Sequence, residues 1–251
     1  MNWLKKRSPI YLCIIPLIVY ILTASRTLPW GDGAEFYLAV RTLGIPHPSG
    51  YPLFVLIGRL FYLISASPFL LNLLPGIFTS IAVLFLYLII FRLIKDRLIS
   101  IILPLFFAFG REIWCQSVAA EIYTLNLLFM TIILYLLLNI SENERFIPMI
   151  FFISGLALTN HLTALFYVIP ILIFVLLRKT KAIRFLPLTT IPLFLYLYFP
   201  ARSAANPALN LFNPESLGKL ISYISGKAFH YRTLFFSGTY IVDQLKQFLY
   251  Y

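Results

Sequence analysis

The sequence predicts an all-α, polytopic integral membrane protein with about seven transmembrane helices, plus interfacial helices in the first outer loop and the C-terminal region. Three observations lead there. The composition comes first: of 251 residues, 61% are hydrophobic and 12% charged, with mean hydropathy +0.89, against roughly 25% charged in a soluble domain. The second is that the apolar runs are long and continuous instead of alternating, which selects helices over a barrel. The third is the placement of the net charge of +11. Lys and Arg gather in short loops between apolar runs, where they set topology and meet anionic headgroups. A lipid bilayer therefore replaces nucleic acid as the partner a basic chain suggests. Cys13 and Cys115 have no metal-ligand spacing and are not placed to pair with each other.

The elements follow in order. Lys5, Lys6 and Arg7 precede an apolar run over residues 9–24, read as an uncleaved first span in preference to a signal peptide. Either alternative puts the N-terminus in the cytoplasm and Asp32 outside. Residues 34–43 read as a short amphipathic helix. His47-Pro48-Ser49-Gly50-Tyr51-Pro52 reads as a turn, because Pro fixes φ and Gly supplies unusual backbone angles. Residues 53–64 are apolar but short and carry Arg59, as in an interfacial or re-entrant helix.

Residues 71–94 make a full span ending in Arg92, Lys95 and Arg97. Further spans are expected over 99–109, 121–139, 147–158, 162–177 and 185–199, with 110–120 an outer loop and 141–145 and 178–184 cytoplasmic. Residues 1–200 thus form a transmembrane module that includes the first outer loop, 26–70. Residues 201–251 form an extracytoplasmic or interfacial segment, with a helical hairpin expected over 215–251. The chain stops without a further span, as expected of the N-terminal module of a longer protein.

With that topology Asp32, Glu35, His47, Glu121, Asn160, His161 and Arg202 all fall at outer ends of spans. Ionisable groups at membrane depth cost roughly 2.5–3.5 kcal/mol on insertion scales and usually face a cavity. Each has a plainer reading. Asp32 serves equally as a loop carboxylate, Glu35 as a first-turn acid favoured by the helix dipole, and His47 as a turn residue. Glu121 fits a helix start, Asn160-His161 a span boundary, and Arg202 an interfacial anchor. Together, carboxylates and an arginine beside an apolar groove suit a lipid-linked phosphate: Arg binds phosphate through a bidentate fork, and a carboxylate takes a proton from an attacking hydroxyl. No Walker loop, GxSxG, HExxH or CxxC pattern occurs.

Five stretches carry a resemblance: Gly31-Asp32-Gly33-Ala34-Glu35-Phe36; residues 43–53 around His47-Pro48-Ser49-Gly50-Tyr51-Pro52; Ala120-Glu121-Ile122-Tyr123-Thr124-Leu125-Asn126; Gly155-Leu156 with Asn160-His161-Leu162-Thr163; and Tyr196-Leu197-Tyr198-Phe199-Pro200-Ala201-Arg202. In this order they resemble a family of polytopic proteins long catalogued as a domain of unknown function. It includes a eukaryotic transmembrane protein O-mannosyltransferase and is similar to the GT-C glycosyltransferases that use polyprenyl-phosphate sugars. Ser49 stands where the family usually has a second proline, and the family's long C-terminal part is lacking.

The resemblance implies a membrane hexosyltransferase, inverting, working at the extracytoplasmic face. It would move a hexose such as mannose from a polyprenyl-phosphate donor to a protein or glycan hydroxyl. Asp32 would be the catalytic base with Glu35 assisting, and Arg202 would bind the donor phosphate. Glu121, Asn160, His161 and His47 would line the pocket. Members differ in divalent-metal dependence, so metal and cofactor remain open. The alternatives are a lipid-carrier transporter or flippase, and an inactive module that binds lipid-linked sugar.

Overall fold

The computed structural model describes residues 9–227 and residue 246. The basic start at Lys5, Lys6 and Arg7, and most of the hairpin expected over 215–251, lie outside the described residues. Within them the chain is helical, apart from one isolated parallel bridge between Ile45 and Asn210.

The helices are α1 (Tyr11–Thr23), α2 (Asp32–Thr42), α3 (Pro52–Ile64), α4 (Pro68–Ile94), α5 (Arg97–Ala108), α6 (Arg111–Ser117), α7 (Tyr123–Leu138), α8 (Phe146–Asn160), α9 (Leu165–Arg178), α10 (Leu186–Leu193), α11 (Tyr198–Ala204) and α12 (Leu217–Ile224). Short 3₁₀ turns at Leu162–Ala164, Thr180–Phe185 and Phe194–Leu197 join several of them. Local chemistry sets many boundaries. Pro52 and Pro68 open α3 and α4 in the first turn, where a missing N–H costs nothing. Asp96 caps α5 by accepting from the Ile99 N–H, and Ser216 caps α12 through Lys219.

Among the described residues two helical stretches are long and apolar enough to cross a membrane, Pro68–Ile94 and Thr180–Ala204; a third counts if α5 and α6, bent 64° against each other, are one broken span. This overturns the expected seven spans, and with them the multi-pass topology having a cytoplasmic N-terminus and an extracytoplasmic site. The apolar runs at Tyr11–Thr23, Pro52–Ile64, Tyr123–Leu138, Phe146–Asn160 and Leu162–Arg178 are 10–17 residues long. At 1.5 Å per residue these reach at most about 26 Å, short of the roughly 30 Å hydrocarbon layer. Within these runs Pro16 and Pro170 lie inside helices; polar residues end helices instead, at Ser65, Asn139, His161 and Lys179. The stretch expected as an outer loop over 110–120 holds the short helix α6.

Helix α4 is the axis of the fold, packing against α1, α5, α6 and α7. Its buried Leu74, Phe78 and Ala82 meet Phe36, Phe54, Leu125 and Phe129 in the largest core cluster. Its two ends differ in chemistry. Near the start, Asn72 reaches the segments before α2 and α7. Near the end, Arg92 pairs with Glu142 in the α7–α8 loop, where Glu144 also holds Lys179. Asn72 and Arg92 lie about 30 Å apart along the helix, so one pole gathers carboxylates and histidines and the other is rich in Lys and Arg, two of them paired with Glu142 and Glu144.

Candidate functional site

The site forms where four segments meet: the start of α2, the turn before α3, the residues leading into α7, and the end of α8. Gly31 has φ +83°, a backbone angle L-residues rarely adopt, and it turns the chain so that α2 begins at Asp32. Asp32 and Glu35 then occupy the first turn, where the helix dipole favours negative charge. Gly50, at φ +69°, closes the turn that carries His47, and its α-carbon faces the Phe199 and Tyr223 rings too closely for any side chain.

Glu35 is the clamp. Its Oε1 accepts from the backbone N–H of His47 at 2.6 Å and faces His47 Nδ1 at 3.0 Å. The other ring nitrogen, Nε2, meets the Tyr51 hydroxyl at 2.6 Å and lies 3.9 Å from Asp32 Oδ2. Asp32 is open to solvent, its side chain 54% exposed, whereas Glu35 and His47 are 26% and 23% exposed. The geometry orders the three: a fixed carboxylate, an oriented imidazole, and a free carboxylate at the mouth.

His161 stacks on the Tyr51 ring at 5.7 Å between centroids and takes an edge contact from Tyr123 at 5.6 Å. Its Nδ1 faces the Thr163 hydroxyl at 2.7 Å, and Asn126 donates to that hydroxyl at 3.1 Å. The fully buried Asn160 donates to the Ile122 carbonyl and to Asn126 Oδ1, tying the end of α8 to the start of α7. Glu121 comes beside α2 because the Ala120 carbonyl lies 3.4 Å from where a β-carbon on Gly33 would sit.

The electrostatics follow from this packing. Burial alone would raise the Glu35 carboxyl, but the two hydrogen bonds and the charge of His47 outweigh it and hold Glu35 below the usual carboxylate range. The bond to Glu35 raises the His47 imidazole, with help from the charges of Glu35, Asp32 and Glu121, against the opposing effect of burial. Glu121 is pushed up to about 7, first by burial and then by Asp32. His161 is lowered by burial and by the neighbouring His47. The cluster thus joins an imidazole raised by its carboxylate neighbours to a carboxyl raised by burial to about 7.

Arg202 stands elsewhere. Its Nε donates to the Leu43 carbonyl at 2.8 Å and its Nη2 to Thr42 at 3.1 Å, while Arg59 donates to Arg41 at 2.7 Å. Two guanidinium groups therefore cap the C-terminal end of α2, about 15 Å along that helix from Asp32. Of the seven residues singled out in the sequence, six converge and Arg202 does not join them.

Several contributors were not singled out. Tyr51, Tyr123, Asn126 and Thr163 sit inside the quoted motifs and touch His47, His161 or Asn160. Tyr223 donates to the Pro46 carbonyl at 2.5 Å. Asn72, 1% exposed, donates to the Ser25 and Thr27 carbonyls and accepts from the Ala120 N–H. Its signal was there to read: a lone asparagine in an otherwise apolar run. Among the described residues no group of three or more His, Cys, Asp and Glu is arranged to hold a metal ion.

Fold and site together define a membrane-associated helical protein with a carboxylate–histidine centre at one pole. Residues 32–185 match the family described as the protein O-mannosyl-transferase TMEM260 N-terminal domain, and the chain belongs to that family. The matched range opens at Asp32 and includes every converging residue. The chain is 33% identical over 172 residues to the mouse (Mus musculus) protein O-mannosyl-transferase TMEM260, covering 65% of this chain and 24% of that protein. It is 27% identical over 183 residues to the Dictyostelium discoideum protein O-mannosyl-transferase tmem260, covering 63% and 22%. The chain therefore spans about a quarter of the length of these relatives. No solved structure matches it.

Proposed function

We propose that this chain is a glycosyltransferase of the kind grouped in the GT-C superfamily, moving a hexose such as mannose from a polyprenyl-phosphate donor to a hydroxyl of a protein or glycan. The observation that carries the reading is the Asp32–His47–Glu35 arrangement: an open carboxylate 3.9 Å from an imidazole whose far side is fixed by a second carboxylate. The family relationship supports the activity class.

In the proposed step the acceptor oxygen attacks the anomeric carbon while its proton passes to Asp32. The bond from that carbon to the phosphate oxygen breaks, and the electron pair leaves with the phosphate, which inverts the configuration. Glu35 is a positioning residue, holding His47 so that the imidazole faces Asp32. Glu121, with its proton retained up to about pH 7, donates a hydrogen bond to a phosphate oxygen as negative charge develops there. Tyr123 and His161 line the donor side, with Asn160 holding that wall. Arg202 is engaged by the α2 carbonyls and anchors that helix; a role at the donor phosphate would require it to leave them.

The test is transfer from radiolabelled polyprenyl-phosphate mannose to a membrane-extract acceptor, with and without divalent metal, by wild type and Asp32→Asn. The expected result is transfer lost in the variant with donor binding kept. An Asp32→Asn variant that turns over normally sinks the assignment. Donor binding without transfer by wild type points instead to a donor-binding module.

A further inference from the structure

The opposite pole carries a cavity of about 400 Å³ at the junction of α9 and α10. Arg178, Lys179, Lys181 and Arg184 line it with Glu144, over a floor that includes Phe185. Its one carboxylate is taken: Lys179 Nζ lies 2.6 Å from Glu144 Oε1. Among the described residues no carboxylate lies within ion-pair distance of Arg178, Lys181 or Arg184. The two arginines rest on rings, Arg178 at 5.5 Å from the Phe174 centroid and Arg184 at 4.7 Å from Phe185, which restrains guanidinium groups without neutralising them.

We infer that this cavity is a binding site for a phosphate-bearing ligand, the anion being held by Arg178, Lys181 and Arg184. Three cations line one concavity, none with a carboxylate at ion-pair distance among the described residues, though Arg184 is near enough to Glu144 to help lower its carboxyl; together they match a phosphate, which guanidinium grips through paired N–H donors. The volume fits a headgroup-sized ligand. The site lies at the Thr180 end of one of the two candidate spans, beside the exposed apolar Leu177, Ile183 and Leu186. That is where an anionic phospholipid presents a phosphate to protein and its chains to apolar side chains. A phospholipid headgroup and a soluble phosphate share this chemistry, so both are probed.

A plainer reading is diffuse attraction between loop cations and anionic lipid, and the experiment separates the two. Purified full-length chain in detergent is titrated with phosphatidylglycerol, phosphatidylcholine or inorganic phosphate, with binding read by native mass spectrometry and by the unfolding temperature. Arg178→Gln/Arg184→Gln is compared with Lys95→Gln/Arg97→Gln, which removes equal charge at the same pole outside the cavity. We expect one phosphatidylglycerol held about tenfold more tightly than phosphatidylcholine, that preference lost in the first variant and kept in the second. Stabilisation by inorganic phosphate with no lipid retained, lost in the same variant, supports the site with a soluble ligand as its occupant. Equal loss in both variants, unchanged binding in the first, or no binding of either probe overturns it.

Discussion

Asn72 offers the sharpest test of how the site is held. It is 1% exposed in the longest helix and makes three hydrogen bonds to backbone, to the Ser25 and Thr27 carbonyls and from the Ala120 N–H, at 2.9–3.0 Å. Two of those groups precede Asp32 and the third precedes Glu121, so one side chain joins both carboxylate-bearing segments. Asn72→Leu keeps the heavy-atom count and branching and removes all three bonds. Leaving the buried Ala120 N–H unpaired costs about 1–3 kcal/mol, and each half-buried carbonyl about 0.5–1.5 kcal/mol. Because such terms are not strictly additive, the expected loss is about 2–5 kcal/mol. It is measured by denaturant unfolding of detergent-solubilised wild type and variant, alongside the transfer rate. If Asn72 were only a polar residue tolerated in an apolar helix, leucine would leave stability equal or raise it. A leucine variant as stable as wild type, with unchanged transfer, refutes the reasoning.

Other consequences follow from the same geometry. Glu121 releases its proton at about 7 in the folded chain and near 4.3 unfolded, so the folded state holds more protons between those values and stability falls as pH rises through them. Glu121→Gln should flatten that fall between pH 5 and pH 8 in thermal melts; parallel slopes for both proteins count against the buried position. The His47 imidazole is raised, so its contribution is complete below about pH 6.5 and disappears as pH climbs through the higher folded value. Glu35→Gln removes the main cause and should lower the His47 titration midpoint in NMR, while His161, relieved of part of the His47 charge that holds it down, moves the other way; a His47 midpoint that does not fall contradicts the assignment. Gly50→Ala should destabilise by more than the roughly 1–2 kcal/mol of a left-handed L-residue, since its methyl group would overlap the Phe199 ring; wild-type yield and melting temperature would contradict this. Arg202→Ala should lose about 1.5–3 kcal/mol of stability with donor affinity nearly intact, whereas weakened donor binding at full stability would return Arg202 to the phosphate.

What could be read from the sequence divides along physical lines. Helix α2 was visible as the amphipathic run over 34–43, which begins two residues later than the helix does, and α4 as the long apolar run over 71–94, which begins three residues later. The number of spans was not visible. Tyr123–Leu138 and Phe146–Asn160 are as apolar as the longer helices, and only their length and the polar residues at their ends, Asn139 and His161, mark them as short. Asp32, Glu35, His47, Glu121, Asn160 and His161 stood out as polar groups at the ends of apolar runs. Arg202 stood out equally, but its partners are the Thr42 and Leu43 carbonyls, and backbone acceptors leave no trace in sequence. Asn72 was passed over because its run already had an explanation as a span.

The convergence of the site therefore rests on different grounds from those first expected. A shared membrane face would bring span ends to the same level without bringing them into contact. In the structure, polar side chains bonded to backbone draw the segments together: Asn72 for the approaches to α2 and α7, Asn160 for the junction of α7 and α8, and Tyr223 and Arg202 for the His47 turn and the end of α2. Burying such groups in an apolar protein is unfavourable unless they find partners; here the donors of Asn72 and Asn160 find them in the segments that bring the candidate residues together, while Asn160 Oδ1 is buried without one. The polar interior and the site are one construction, so substitutions at residues that touch no substrate should impair transfer as severely as those at Asp32, while differing from Asp32→Asn in also lowering stability.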